Sequence, residues 1–316
     1  MRRSIIIVVL ALAPFGCGKK QDDKAGPGAT EPAKPVAPEP SKVEPAKPAK
    51  AAYTPEAAKQ HVAELAKCSS QYSCPAFDTL VGFGPAAAPE LLAVAVDDKA
   101  PLEQRRMAVA AIGAVKAPEV GVKLIEAANK LEDSLAQGEF YDAAGKSGGQ
   151  PVFDALITEY AKAAASTDDN REIPLRHGLG AFPKETVAWA KDALPKQPKQ
   201  QVAIADLIDD VATDQAVVLA LLPAAKEPMA KHRLAKKAIE LGASDPKLWD
   251  VFLAGLASAD QYDRSDAGNF LESVVSKVPA ELKPRFVELL KKALAGPKDP
   301  MLNGGLEKSL AALGGS

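Results

Sequence analysis

The sequence has little of what catalysis and metal binding draw on. It contains only three histidines, His61, His177 and His232, and they are far apart in the chain. It contains only three cysteines, Cys17, Cys68 and Cys74, with no C-x-x-C pair for zinc and no C-x-x-C-H for haem attachment. H-E-x-x-H does not occur, so the metallopeptidases defined by that motif are excluded. No metal and no cofactor are expected. Aromatic residues make up 5% of the chain, so a core must be built from Ala, Leu and Val. Charge of one sign is also missing: 39 basic residues face 41 acidic ones, and no Lys/Arg stripe appears, which argues against nucleic acid. The longest aliphatic run, Ser4–Ala13, is about half of the roughly 20 residues that a transmembrane helix needs.

That run is nevertheless informative. Arg2 and Arg3 precede it and Pro14 ends it, the layout of a secretory signal peptide. Phe15-Gly16-Cys17 follows and resembles the lipobox of bacterial lipoproteins; Gly16 and Cys17 match the pattern, while Pro14 and Phe15 depart from it. The resemblance implies cleavage before Cys17 (residues 1–16 removed) and acylation of Cys17. Several acyl chains, at roughly 0.8 kcal/mol per buried CH₂, make a durable membrane anchor. Gly18, where an Asp would imply inner-membrane retention, leans the expectation towards the outer membrane, facing the periplasm. The rival reading is ordinary cleavage after Ala11-Leu12-Ala13, which leaves a soluble protein.

Residues 17–52 read as an anchor and linker. Seven prolines between Pro27 and Pro48, interleaved with Ala, Lys and Glu, cannot bury enough apolar surface to fold. They favour extended polyproline geometry, suiting a stand-off tether; a proline-motif ligand for another protein is the alternative. In an exported chain the even pair Cys68 and Cys74 reads as a disulfide, with two free thiols as the other possibility. In one helix their Cα atoms would be about 9 Å apart, too far for a bridge, so residues 67–75 are expected to form a loop.

From Tyr53 to Ser316 the chain reads as successive helices. Segment starts fall near Pro85, Ala117, Gly149, Pro183, Asp214, Asp245 and Pro279, at intervals of 31–34 residues. With 53–84 in front this gives about eight units, each with two helices of about 10–14 residues. Such a period predicts an all-α fold, an α-solenoid in which each pair buries its apolar face on the next. The T-P-L-H of ankyrin units and the Trp/Tyr pattern of tetratricopeptide units are absent. Residues 84–92 (GPAAAPELL) and 105–113 (RRMAVAAIG) resemble the two helices of HEAT-like repeats. The spacing of Arg106, Ala108, Ala111 and Ile112 recurs at Arg233, Ala235, Ala238 and Ile239, with a degenerate copy at Gln201, Ala203 and Leu207. The resemblance implies structural, inter-unit roles for Arg106 and Arg233.

Other candidates for chemistry are few. Gly145-Lys146-Ser147 matches the end of a P-loop, but Phe140 stands where its first glycine belongs. Asp206, Asp209 and Asp210 cluster on one turn, as a calcium site or, more simply, a solvated face. Arg176-His177 is placed in a groove or on open surface, and Trp189 and Trp249 in the core. The function expected is therefore a lipid-anchored cell-envelope scaffold that is not an enzyme. It would be held to the membrane through Cys17 and bind an envelope protein on a concave face. An envelope-polymer lyase or hydrolase on a helical repeat fold and a passive spacer are the alternatives.

Overall fold

The computed structural model describes residues 52–315 apart from 69, 71, 72, 167, 168, 297 and 298. The chain divides into two units, Met1–Pro48 and Ala49–Ser316, and the described residues belong to the second. The signal, Cys17 and the linker lie outside the described residues.

Among the described residues there are sixteen α-helices and no strand. They form eight consecutive pairs: α1 (Pro55–Glu64) with α2 (Pro75–Phe83), α3 (Ala88–Ala95) with α4 (Leu102–Val115), α5 (Pro118–Ala128) with α6 (Ser134–Ser147), and α7 (Gln150–Ala165) with α8 (Glu172–Leu179). They continue as α9 (Pro183–Lys196) with α10 (Gln201–Val211), α11 (Gln215–Leu221) with α12 (Pro228–Glu240), α13 (Lys247–Leu256) with α14 (Gln261–Val274), and α15 (Lys283–Leu294) with α16 (Pro300–Ala312). The pair starts follow the predicted period. The last begins later than Pro279 because Val278–Leu282 turns before the helix opens. Helix length is less regular than expected: α3, α8 and α11 have 8, 8 and 7 residues, and α7 has 16. No helix among those described is long and apolar enough to cross a membrane.

Local chemistry sets the boundaries. Asp133, Asp214, Asp260 and Asp299 each accept a hydrogen bond from a backbone N–H of the helix they precede, and Thr54 does the same for α1. Proline occupies the first turn of α1, α2, α5, α9, α12, α15 and α16, where no N–H is required. Between α6 and α7, Gly148 and Gly149 take φ values of 82° and 90°, which let the chain reverse within two residues.

The pairs form two layers: second helices stack on second helices along the whole array, and first helices pack on first helices from α1 to α7, at α9–α11 and at α13–α15. Within a pair the helices run antiparallel: a Cβ on Gly121, early in α5, would meet the Ser147 hydroxyl at the end of α6. In the second layer neighbours run parallel, as Gly113 of α4 against Ala143 and Lys146 of α6 shows. The core between the layers is aliphatic, with Leu80, Leu91, Ile112, Leu124, Leu156 and Leu175 fully buried, alongside Phe140, Tyr141 and Tyr160. Small residues bring the second-layer helices close. A Cβ on Gly268 of α14 would lie 2.6 Å from Leu306 of α16, and the nearby Ser309 hydroxyl donates to the Gly268 carbonyl at 3.0 Å.

The segment between α1 and α2 is closed by a Cys68–Cys74 disulfide with a Cα separation of 5.4 Å. Cys74 also precedes α2 as its cap, its sulfur accepting from the Phe77 N–H at 3.3 Å.

Candidate functional site

The exposed face of the second layer carries a groove of about 770 Å³ that crosses α2, α4 and α6. Phe77, Met107, Ala110, Gly113, Ala114 and Ala143 supply apolar lining; Asp78, Glu103, Arg106, Glu139, Asp142 and Lys146 supply charge, and Ser70 of the disulfide loop closes one side. The helix register puts these groups there. Arg106, Ala110, Gly113 and Ala114 recur at three- and four-residue steps along α4, and Glu139, Asp142, Ala143 and Lys146 do so along α6.

The charges of the groove are engaged with one another. The Arg106 guanidinium donates to both carboxylate oxygens of Glu139, at 2.6 and 2.5 Å, and to Glu103 at 3.0 Å. Lys146 donates to Asp142 at 2.6 Å. The hydrogen bond to Glu139 raises the Arg106 pKa further above its ordinary value. Arg106 thus joins α4 to α6, one unit to the next. Its neighbour Arg105 is the buried one: Nε donates to the Ala95 carbonyl at 3.0 Å and the guanidinium lies over Phe140. The run Arg105-Arg106 does not reveal which arginine turns inward, because that depends on how α4 is rotated against α3.

Further along the layer, Arg176 of α8 reaches Asp210 at 3.1 Å and Asp206 at 3.5 Å, both on α10. Arg233 of α12 meets Asp206 from the other side and lies over the Phe270 ring of α14, 4.9 Å from its centroid. Lys236 pairs with Asp209 at 2.7 Å. Asp206 and Asp209 are therefore half-buried rather than part of a solvated face, while Asp210 stays exposed. Cations from the helices on either side of α10 hold them, and Asp206 ties three units together. Burial pushes its carboxyl up to about 6, against the pull of Arg233 and Arg176. Gln201 is not a degenerate copy of the arginine position. It opens α10, a turn earlier than Arg106 or Arg233 stands in its own helix. Its buried amide donates to the Leu194 and Ala224 carbonyls at 2.9 and 3.1 Å and accepts from the Lys226 and Glu227 N–H groups.

The remaining candidates separate. Gly145 lies against Gly178 of α8, Lys146 stands in the groove, and the Ser147 hydroxyl is buried and donates to the Ala144 carbonyl. His177 is exposed. Trp249 is buried against Phe252 and Phe286, and Trp189 is half-buried with its ring perpendicular to that of Tyr160. His61 pairs with Glu64 at 3.0 Å. His232 stacks on Phe252 beside a second cleft of about 440 Å³, lined also by Lys231, Lys247, Asp250 and Asp263. Burial pushes the His232 imidazole down to about 4, with Asp263 opposing the shift. No group of three or more His, Cys, Asp or Glu side chains placed to hold a metal ion occurs among the described residues. No known protein-family model matches the chain, and no curated protein matches it either.

Proposed function

We propose that this chain is a lipid-anchored cell-envelope protein, similar to bacterial lipoproteins that carry HEAT-like repeats, and that its helix array binds another envelope protein. The observation that carries the binding part is the groove across α2, α4 and α6. It has an apolar lining, a charged rim, and cations already neutralised by carboxylates of the same groove. Pre-paired charges suit orientation and selectivity at an interface. Proton transfer calls instead for a titratable group free to reach a reacting atom. The anchor rests on Arg2, Arg3, the run Ser4–Ala13 and Gly16-Cys17.

Two measurements test the reading. Cells fed an alkyne fatty acid should label the wild-type chain and not Cys17→Ser; equal labelling of both rejects the anchor. A photoreactive residue at Ala110 or Ala114 should give one discrete adduct in intact cells, reduced by Lys146→Glu, whereas Lys59 of α1 should give none. Identical adducts from the groove and from Lys59 reject the docking face.

A further inference from the structure

The first layer is interrupted between α11 and α13. α11 packs on α9 and α13 on α15, but α11 and α13 barely meet. α11 has only 7 residues before the chain tightens into a 3₁₀ turn at Leu222–Ala224. One side of α13 is therefore left open. Trp249 packs on Phe286 of α15, and the face of α13 turned away from Trp249 carries Lys247, Asp250, Val251, Ala254 and Gly255, at three- and one-residue steps. This stripe lines the cleft of about 440 Å³, together with Lys231 and His232 of α12 and with Ser258 and Asp263 at the entry to α14. Small-ligand sites occupy roughly 300–1,000 Å³.

The charges of this cleft are free, unlike those of the groove across α2, α4 and α6. Among the described residues, Lys231, Lys247 and Asp250 form no ion pair. Asp263 accepts from the Ser258 hydroxyl at 3.0 Å.

His232 gives an independent sign of a ligand. It is 2% exposed, and its Nδ1 is buried with no hydrogen-bond partner. The ring is held in place: it stacks on Phe252, and a Cβ on Gly255 would lie 2.2 Å from Nε2, so position 255 admits the imidazole only as glycine. A buried polar atom without a partner is costly, and one in the wall of a cleft gains its partner when the cleft is filled.

We propose that this cleft binds a short peptide with free termini, extended along α13. Two cations and two carboxylates suit a zwitterion, whereas a ligand of one sign would meet like charge. From Lys247 to Gly255 the stripe runs about 12 Å, the length of roughly three or four extended residues. Ala254 and Gly255 leave room for a peptide backbone, whose amide pairs with His232 Nδ1. The cleft shares no lining residue with the groove, so this inference stands whether or not the groove binds a partner.

The test uses the full chain in detergent, carrying isotope-labelled histidine, and trialanine as the probe. N-acetyl-trialanine amide and free alanine are the comparisons. Three histidines give three imidazole signals, and that of His232 is the one kept in the double variant His61→Gln, His177→Gln. Trialanine should move the His232 signal saturably and leave the other two in place. The capped peptide and free alanine should each bind about tenfold more weakly or worse, and so should trialanine to Lys231→Ala with Lys247→Ala. Ala254→Phe, which fills the cleft from an exposed position, should abolish the shift. These side chains are exposed or half-buried, so the variants should melt as the wild type does. No saturable shift at millimolar trialanine overturns the proposal. Equal binding of the capped peptide or of free alanine, or undiminished binding to either the lysine variant or Ala254→Phe, overturns it too.

Discussion

Gly145 and Gly178 cross so closely that a Cβ built on Gly145 would lie 2.2 Å from the Gly178 carbonyl oxygen. The reciprocal Cβ on Gly178 would lie 2.5 Å from the carbonyl of Tyr141. Both obstacles are backbone, which cannot swing aside as a side chain can. Gly145→Ala should therefore force α6 and α8 apart and destabilise the fold by about 3 kcal/mol. Gly82, late in α2 with nothing within 4 Å of its Cβ direction, is the matched control. Gly82→Ala should be neutral or stabilising by up to about 1 kcal/mol, through helix propensity. Urea unfolding of both variants checks the pair of signs.

His232 should make the fold acid-sensitive in a defined window. The unfolded imidazole binds a proton near its ordinary pKa of 6.5, whereas the folded one, depressed by burial, does so only at about 4. Between those values the unfolded state holds more protons, so stability falls as pH falls, by at most about 1.4 kcal/mol per pH unit. His232→Leu should remove this slope whatever it does to stability at neutral pH. Denaturant midpoints of wild type and variant, measured from pH 7 to pH 4, decide the point; parallel curves would contradict it.

Arg233→Met keeps much of the stem over Phe270 but removes the cation beside Asp206. A half-buried carboxylate that loses a partner is costly, and about 3 kcal/mol of destabilisation is expected at pH 8. Asp206 already carries a pKa raised to about 6, so its protonation favours the folded state and that contribution is lost as pH rises through 6. The variant should lie closer to wild type at pH 5 than at pH 8. Asp206→Asn should cost less than Arg233→Met at pH 8, because it leaves no buried anion.

The disulfide and the cap can be separated. Cys68→Ser with Cys74→Ser removes the cross-link but leaves an oxygen to accept from the Phe77 N–H. It should cost roughly 2 kcal/mol, the entropy of a short loop. Cys68→Ala with Cys74→Ala loses the cap as well and should cost about 1 kcal/mol more. Thermal melts of the two double variants, compared with reduced wild type, test this order.

The sequence by itself determined the helices, their pairing and their period, because these are local. Apolar spacing at helical intervals, Asp or Thr caps and first-turn prolines act within a few residues of where they stand. The Cys68–Cys74 bridge was equally legible, since six residues of separation leave only a loop. What the tertiary structure decided is everything that depends on how one helix is rotated against another. It buried Arg105 while Arg106 faced the groove, turned Asp206 from part of a solvated face into a clasp across three units, and set Gly145 against Gly178 as a backbone crossing. It also gathered Lys231, His232 and Asp263 with one stripe of α13 around a single cleft. No local propensity specifies that juxtaposition; it follows from how α12, α13 and α14 pack, which only the whole array fixes.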